Sequence, residues 1–322
     1  MTLKNSDISG GEPFRWQKMG LVYRSPHDGS WRNSHAQVPS VVQLADRIRV
    51  YFSVRPPRDA EGMYKSTMCW VDVSSDDPTK VLDTAPGPFL SYGRPGTFDE
   101  HGVMPSCANW SGETLRLYYC GWMRLVGVPY SMGIGLVESR DGGSTFQRIG
   151  EGPLFGRTPN EPYLEGGPYV LHHEDRWHMW YTSGTDWIGK EAIYVIKYAH
   201  SSDGVHWERD GRAILRGIVE QECQARPCIA RIGDRWHMWF SYRFGLGFRN
   251  AERGYRMGYA WSDDLVVWHR DDARSGLDVS TDGWDSEMLC YPVVFATSSG
   301  VYMFYNGNGF GEDGFGCAKL IQ

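Results

Sequence analysis

Acidic, basic and imidazole side chains recur in the sequence just ahead of a series of prolines, Pro39, Pro105, Pro168, Pro227 and Pro292. The five pre-proline segments contain His35 and Gln37; Asp99, Glu100 and His101; Glu161 and Glu165; Glu222, Gln224 and Arg226; and Asp285 and Glu287. Carboxyl groups that face one another across a cavity can act as a general acid and as a base or nucleophile, which glycosidic chemistry requires. Because charge recurs at equivalent places in all five segments, we interpret the set as a functional site rather than as a solvated rim.

Arginine recurs at the end of the aromatic segments that follow the prolines. Arg55, Arg124 and Arg243 take the same position in three of these segments, and Arg226 directly precedes a proline. Guanidinium groups donate paired hydrogen bonds and keep their charge, so a convergent group of them suits a carboxylate or a phosphate. We therefore predict that these arginines bind an acidic group of a ligand. The alternative is that carboxylates across the cavity neutralise them, namely Asp99, Glu222 and Glu287.

Other side chains at the same positions are predicted to contact a substrate: His35, Gln37, His101, Trp122, Asp186, Trp187 and Glu287. The two tryptophans could stack on a sugar ring, with ordinary packing between strands as the alternative. His35 and His101 each stand four residues before a proline, so they occupy equivalent places. They could act as acid and base or, with a glutamate, hold a divalent ion in a central channel. Because no HxH or HExxH spacing is present, we expect no cofactor.

The elements that would position these residues come from an internal repeat. DRWHMW occurs twice, and four full copies and a truncated fifth of one pattern follow each other at intervals of about 60 residues. Each copy has a proline-headed apolar run, a turn, an aromatic strand and a third strand. A single four-stranded antiparallel sheet cannot bury both faces, so repeated sheets predict the blades of a propeller. The predicted fold is all-β, a five-bladed β-propeller, with the aromatic residues of DRWHMW packed between neighbouring blades.

Two further patterns support the repeat. SRDGGSTF, SSDGVHW and SDDLVVW follow the third strands, and we interpret the aspartate as a cap on its own turn, with a structural role. The fifth copy stops after its third strand, and the segment FRWQKMGLVYR (14–24) resembles the fourth strands of other copies. We therefore predict that this N-terminal strand completes blade five, within one domain over residues 1–322. The pre-proline segments and the ends of the second strands would then meet at one end of the ring's axis, as a funnel.

Composition excludes several other classes. The chain has 322 residues with a net charge of −6 and no basic block, which argues against nucleic-acid binding. No apolar run is long enough for a membrane span, and the first residues contain no apolar stretch of signal-peptide length, so we expect a cytoplasmic protein. The seven scattered cysteines are expected to be buried, reduced thiols. The sequence leaves the oligomeric state open.

Proline-headed blades, aromatic second strands and N-terminal closure together resemble the five-bladed propeller superfamily of carbohydrate-active enzymes. That superfamily includes arabinanases and β-xylosidases, invertases and levansucrases, and mannosyl-glycan phosphorylases. The resemblance implies a glutamate ahead of Gly-Pro as general acid, which Glu165 matches with one extra glycine. The aspartates expected before the first two prolines are absent, because Gln37-Val38 and Val103-Met104 stand there. Asp99 or Glu222 is then the candidate base or nucleophile.

The implied activity is hydrolysis or transfer of a glycosidic bond in a small-molecule or oligosaccharide substrate that carries an acidic group. Two alternatives remain open from the sequence. One is a sugar-binding propeller without catalysis, which the missing aspartate before Pro39 favours. The other is a lyase or transferase on the same fold that depends on histidine or a metal.

Overall fold

The computed structural model describes residues 2–3 and 12–321, and its regular secondary structure is almost entirely β-strand. In chain order the strands are β1 (Thr2–Leu3), β2 (Trp16–Arg24), β3 (Ser34–Gln43), β4 (Arg47–Arg55), β5 (Thr67–Ser74), β6 (Val81–Thr84), β7 (Gly102–Ser111), β8 (Thr114–Arg124), β9 (Tyr130–Ser139), β10 (Gln147–Arg148), β11 (Glu165–His173), β12 (Arg176–Ile188), β13 (Glu191–Ser201), β14 (Glu208–Ala213), β15 (Cys223–Ile232), β16 (Arg235–Arg243), β17 (Arg256–Ser262), β18 (His269–Arg270), β19 (Cys290–Thr297), β20 (Gly300–Asn306) and β21 (Gly314–Leu320). A 3₁₀ turn at Asp272–Arg274 and a helical turn, α1, at Asn308–Gly311 are the remaining named elements. No helix among the described residues is long and apolar enough to cross a membrane.

These strands form five antiparallel sheets, which confirms the five-bladed propeller. Blades one to four consist of β3–β6, β7–β10, β11–β14 and β15–β18, and blade five consists of β19–β21 with β2. In each blade the proline-headed strand comes first in the chain and lies at one edge of the four-stranded unit, next to the second strand, and the five first strands contact one another around the central channel. The short strand β1 adds to blade four by pairing parallel to β15.

The N-terminal strand closes the ring as the sequence predicts. Strand β2 pairs antiparallel with β21, with Trp16 opposite Leu320 and Arg24 opposite Gly314. Phe14 and Trp16 are buried against Trp239 of blade four, at ring-centroid distances of 4.9 and 5.6 Å. The segment from Phe14 to Arg24 therefore completes blade five and also packs it against blade four. Residues 1, 4–11 and 322 of the predicted domain lie outside the described part.

The repeated DRWHMW segments form second strands whose side chains alternate between the two blade faces, because successive residues of a strand point to opposite sides. Trp177 belongs to an apolar cluster with Tyr118 of blade two, whereas Trp180 belongs to one with Met238 of blade four. The prediction that these aromatic residues pack between blades is confirmed.

The aspartate turns are structural, also as predicted. Asp203 Oδ1 accepts hydrogen bonds from the backbone N–H groups of Val205 and His206 at 2.7 and 2.8 Å. Asp141 and Asp264 cap their turns in the same way. All seven cysteines are buried and free, as expected.

Candidate functional site

A β-bulge at the head proline shapes the channel wall in every blade. In four blades the residue just before the proline has a left-handed backbone: Val38, Gly167, Arg226 and Tyr291 have φ of 57°, 52°, 52° and 57°. Bulges re-aim side chains and are common beside functional sites, and a left-handed non-glycine residue costs free energy that the surroundings must offset. At the bulge, the side chains of Arg226 and Tyr291 therefore depart from the regular alternation between the two faces of the strand.

The preceding blade holds these bulges in place. The Val38 N–H donates to Asn306 Oδ1 of blade five at 2.9 Å, and the Tyr291 N–H donates to Ser241 Oγ of blade four at 2.7 Å. Asn306 and Ser241 occupy equivalent places on the second strands, opposite the bulge of their own blade. Hydrogen bonds between blades therefore fix the pre-proline residues around the channel.

At the end of the channel where the second strands finish, four tyrosines from blades two to five surround a buried arginine. We call Tyr130, Tyr194, Tyr255, Tyr291 and Arg243 the tyrosine mouth. Tyr255 lies 5.8 Å from Tyr291 between ring centroids, and the hydroxyls of Tyr194 and Tyr255 are hydrogen-bonded. Trp187 packs edge-on against Tyr130 at 5.2 Å. Burial raises the pKa of all four phenols, so each is neutral at neutral pH.

Arg243 is the charged centre of the tyrosine mouth. It is 3% exposed, its Nη2 donates to Tyr194 Oη at 2.9 Å, and its guanidinium lies 3.4 Å from the ring centre of Phe248. Burial alone would lower its pKa, but the phenol oxygens of Tyr194 and Tyr255 raise it. Within the described chain Arg243 forms no ion pair with a carboxylate, so its charge is solvated only by neutral groups.

Arg55 and His35 of blade one border the same end of the channel. Arg55 lies over the ring of Tyr64 at 4.8 Å and donates to His35 Nε2 at 3.2 Å. Burial and then the charge of Arg55 lower the pKa of His35 to about 2, so the imidazole is neutral. Burial lowers the pKa of Arg55, and the phenol of Tyr291 opposes this. His35 therefore orients Arg55 and supplies no proton at neutral pH.

Glu165 begins β11 at the head of blade three. Its side chain is fully buried, and neither carboxyl oxygen has a hydrogen-bond partner within the described residues. Burial raises its pKa from the usual 4.5 to about 7, with a smaller contribution from Glu161, against the charge of Arg209. Leu164, which directly precedes Glu165, belongs to one apolar cluster with Tyr194 and Tyr255, and Tyr130 packs against that cluster, so the start of β11 lies beside the tyrosine mouth.

The other two predicted catalytic carboxylates lie in structural ion pairs. Asp99 Oδ2 accepts hydrogen bonds from Tyr119 at 3.0 Å and from Arg148 Nη2 at 2.8 Å. Glu222 accepts from Arg270 and from Gln224 Nε2, the latter at 2.8 Å. Because these bonds occupy both carboxylates within their own blades, the structure does not bring either one to Glu165.

Several of the predicted ligand-binding residues lie outside the tyrosine mouth. Arg124 pairs with Asp59 at 2.7 Å, Trp122 donates to Ser66, and the Nδ1 of His101 accepts from the Arg124 N–H. Asp186 and Glu287 are exposed, and Asp186 caps the N–H of Trp187 at 2.7 Å. Gln37 is buried with its Oε1 unpartnered.

Arg226 points away from the tyrosine mouth. Its guanidinium lies among residues that follow the head prolines, near Cys107, Tyr169 and Cys228. The alternative in which Asp99, Glu222 and Glu287 neutralise the arginines is wrong. Arg148 and Arg270 hold the first two, and Glu287 forms no ion pair in the described part of the chain.

The metal alternative needs His35, His101 and a carboxylate close together. No group of three or more His, Cys, Asp or Glu side chains within residues 12–321 is placed to hold a metal ion. His35 instead contacts Ser34 and Arg55, and His101 contacts Glu100 and Arg124. The donor set required for that alternative is therefore not assembled.

The sequence did not predict the four tyrosines of the tyrosine mouth. Tyr291 carried a signal, because it directly precedes a head proline as Arg226 does. The other three stand at or near the beginnings of third strands, where an aromatic residue is typical of ordinary packing. Their meeting depends on how the loops between second and third strands curve, which periodicity does not encode.

Comparison with known proteins places the chain in a family. It is 35% identical over 309 residues to the uncharacterized protein MT1551 of Mycobacterium tuberculosis, which covers 95% of this chain and 99% of the mycobacterial protein. The chain belongs to the same family as that protein. It is also 28% identical over 110 residues to a beta-1,2-mannobiose phosphorylase of Thermoanaerobacter, covering 31% of this chain and 35% of the phosphorylase. No family model matches the chain.

Solved structures agree with the fold. A glycoside hydrolase structure has a TM-score of 0.75 at 18% identity, and the match covers 95% of this chain and 92% of the hydrolase. A beta-1,2-mannobiose phosphorylase from Listeria innocua, in complex with beta-1,2-mannobiose, has a TM-score of 0.64 at 14% identity, with 93% and 96% covered. The resemblance to the five-bladed propellers of carbohydrate-active enzymes is confirmed for the fold.

Proposed function

We propose that the protein is a glycoside hydrolase-like enzyme that cleaves or transfers a glycosidic bond at the tyrosine mouth, with an acidic sugar or glycoconjugate as substrate. The observation that carries the proposal is Glu165, a buried carboxyl without a hydrogen-bond partner in the described chain, which lies beside the tyrosine mouth and Arg243, an arginine with no ion-pair partner there. The relatedness of part of the chain to a beta-1,2-mannobiose phosphorylase supports carbohydrate chemistry.

Glu165 suits the role of general acid. A glycosidic oxygen leaves more easily when it is protonated as the bond to the anomeric carbon breaks, and the best acid has a pKa near the working pH. Burial raises the pKa of Glu165 to about 7, so a substantial fraction of the carboxyl is protonated at neutral pH. Its carboxyl oxygens have no hydrogen-bond partner among the described residues, so no described group competes for its proton.

Arg243 and Arg55 suit the recognition of an acidic group. Neither forms an ion pair in the described chain, although both are buried or half-buried. A carboxylate or phosphate in the tyrosine mouth would neutralise this charge through charge-assisted hydrogen bonds. The half-buried rings of Tyr130, Tyr291 and Trp187 offer apolar faces on which a sugar ring can stack.

One observation favours a second candidate, phosphorolysis. Hydrolysis uses two carboxyl groups, and the structure brings neither Asp99 nor Glu222 to Glu165. In phosphorolysis an oxygen of inorganic phosphate attacks the anomeric carbon while Glu165 protonates the departing oxygen. The glycosidic bond breaks, and a sugar phosphate and an alcohol form. The anion held by Arg243 would then be phosphate rather than an acidic group of the sugar.

The experiment is a product screen with the purified protein. Neutral and acidic disaccharides are incubated with and without inorganic phosphate, and the products are separated by chromatography. Acidic sugars cleaved without phosphate support the leading proposal, and sugar phosphates that form only with phosphate support the second. Saturable binding of an intact sugar without any product would contradict both and indicate a binding propeller.

The binding role of Arg243 is tested with two matched variants. For the substrate found in the screen, Arg243→Gln is expected to raise the KM of the anionic component at least about tenfold, because a charged hydrogen-bond donor is lost. Arg124→Gln lies at the same end of the channel but is already paired with Asp59, so its KM should stay within about twofold. Equal effects of the two variants would refute the assignment.

A further inference from the structure

The opposite end of the central channel holds a cavity of about 190 Å³ that is separate from the tyrosine mouth. Residues that follow the head prolines on the first strands of all five blades line it. We call it the lower channel cavity, and its polar lining comes chiefly from Ser40, Ser106, Asn109, Arg226 and Arg231. No aspartate or glutamate of the described residues lines it, although two arginines do.

Arg226 is one of the fully buried polar residues of this cavity. It is 2% exposed, and its Nη2 donates to the carbonyl oxygen of Pro39 at 3.1 Å. Its Nε and Nη1 have no partner within the described chain. Its backbone at the bulge is left-handed, with φ of 52°, and its side chain lines the lower channel cavity.

Among the described residues, no group around Arg226 balances its charge. The ionisable neighbours are Cys107, Cys228 and Tyr169. Burial raises the pKa of all three, that of Cys228 to about 12, so they are neutral at neutral pH. Burial lowers the pKa of Arg226 itself, but a guanidinium stays protonated in proteins. An uncompensated buried cation is strongly unfavourable, so the surroundings of Arg226 favour a counter-ion.

Further donors converge on the same space. Ser106 is 1% exposed and its Oγ has no partner among residues 12–321. The Nε of Arg231 also lacks a partner, and its guanidinium lies 5.3 Å from the ring centre of Trp236. A hydroxyl and two guanidinium groups without an acid form an anion-binding set, and the cavity has room for one small anion with water.

We propose that the lower channel cavity binds a small inorganic anion, either a halide or a tetrahedral oxyanion, through Arg226, Arg231 and Ser106. The anion neutralises Arg226 and contacts the inner strands of several blades, so it stabilises the closed ring. This site is independent of glycosidic chemistry at the tyrosine mouth. The anion bound there is a structural component and not a substrate.

The first test is crystallographic and uses the whole protein. Crystals are grown with bromide, and others with tungstate as a heavy stand-in for phosphate or sulfate, and anomalous maps are calculated. A peak within hydrogen-bond distance of the Arg226 guanidinium is expected, and the salt that gives it tells a halide from an oxyanion. The proposal would be overturned if no peak appears there with either salt, or if a carboxylate of the chain itself contacts Arg226.

The second test measures the melting temperature as chloride or phosphate is added at constant ionic strength. The wild type should gain about 4 °C at an anion concentration about 100 times the dissociation constant, and the gain should saturate. Arg226→Gln should lose this gain, whereas Arg24→Gln, which removes an exposed arginine of β2, should keep it. An equal gain in all three proteins would show a general salt effect and contradict the site. If Arg226→Gln does not fold, the anomalous maps of the wild-type crystals decide whether the cavity binds an anion.

Discussion

The carboxylate of Asp99 accepts a hydrogen bond of 3.0 Å from the hydroxyl of Tyr119, which follows it by 20 residues. Two other blades repeat this pair at the same separation, Glu161 with Tyr181 at 2.9 Å and Asp285 with Tyr305 at 3.0 Å. A base from the outermost strand of the same blade completes each group: Arg148, Arg209 and Lys18. The motif ties the loop ahead of the first strand to the second and fourth strands, so these carboxylates belong to the scaffold.

Asp99→Asn should therefore destabilise the fold. The substitution removes one partner of a buried ion pair and leaves Arg148 without its counter-charge, which should lower the free energy of unfolding by roughly 3 kcal/mol. Urea denaturation measures the change. The control is Glu151→Gln, which breaks the exposed pair with Arg94 and should cost less than about 0.5 kcal/mol. Equal small effects of the two changes would argue against the scaffold role.

Closure of the ring by β2 gives a second stability prediction. Trp16 is 8% exposed, packs against Trp239 and donates its indole N–H to the Ser275 carbonyl at 3.1 Å. Trp16→Ala should lower the free energy of unfolding by about 3 to 5 kcal/mol, because it leaves a large cavity between blades four and five. Met19→Ala on the exposed side of the same strand should change it by less than about 0.5 kcal/mol. A Trp16 variant as stable as the Met19 variant would contradict this closure.

The raised pKa of Glu165 predicts a pH dependence of stability. The folded protein keeps the Glu165 proton up to about pH 7, whereas the unfolded chain releases it near the usual 4.5. The folded state therefore binds more protons between these values, and its stability falls as the pH rises through them. Between about pH 5 and about pH 8 the loss should be roughly 2 to 3 kcal/mol relative to Glu165→Gln, which has no proton to release.

Urea denaturation of both proteins at the two pH values measures this difference. Comparison with the variant is needed because His35 and His237, whose pKa values burial lowers, change stability in the opposite direction over part of the range. If the difference in free energy of unfolding between the two proteins stays constant with pH, Glu165 is ionised in the folded protein at neutral pH and the prediction is wrong.

The architecture could be predicted from the sequence because it rests on local, repeated signals. Pro168 and Pro227 mark equivalent first strands, and the repeated DRWHMW segments mark second strands. The resemblance of the segment from Phe14 to the fourth strands located the closure. Each of these signals depends on periodicity or on turn chemistry, which neighbouring residues determine.

The candidate functional site could be predicted from the sequence less well than the fold. Position ahead of a proline made Asp99 and Glu222 catalytic candidates but did not reveal their partners, Arg148 and Arg270, which come from the fourth strands of the same blades. The constant separation of 20 residues between Asp99 and Tyr119, and between Glu161 and Tyr181, was the available sign of a structural role. The direction of the Arg226 side chain could not be predicted from its position either, because Tyr291 also directly precedes a head proline and has a similar left-handed backbone, yet it lies in the tyrosine mouth.

General acid catalysis by Glu165 is tested most directly by the leaving-group dependence of the Glu165→Gln variant. For the substrate found in the screen, whose leaving group is a sugar hydroxyl, kcat/KM should fall at least about 100-fold. For the dinitrophenyl glycoside of the same sugar, whose leaving group departs without protonation, it should fall less than about tenfold. Equal losses on both substrates, or full activity on the first, would contradict the assignment of Glu165 as the acid.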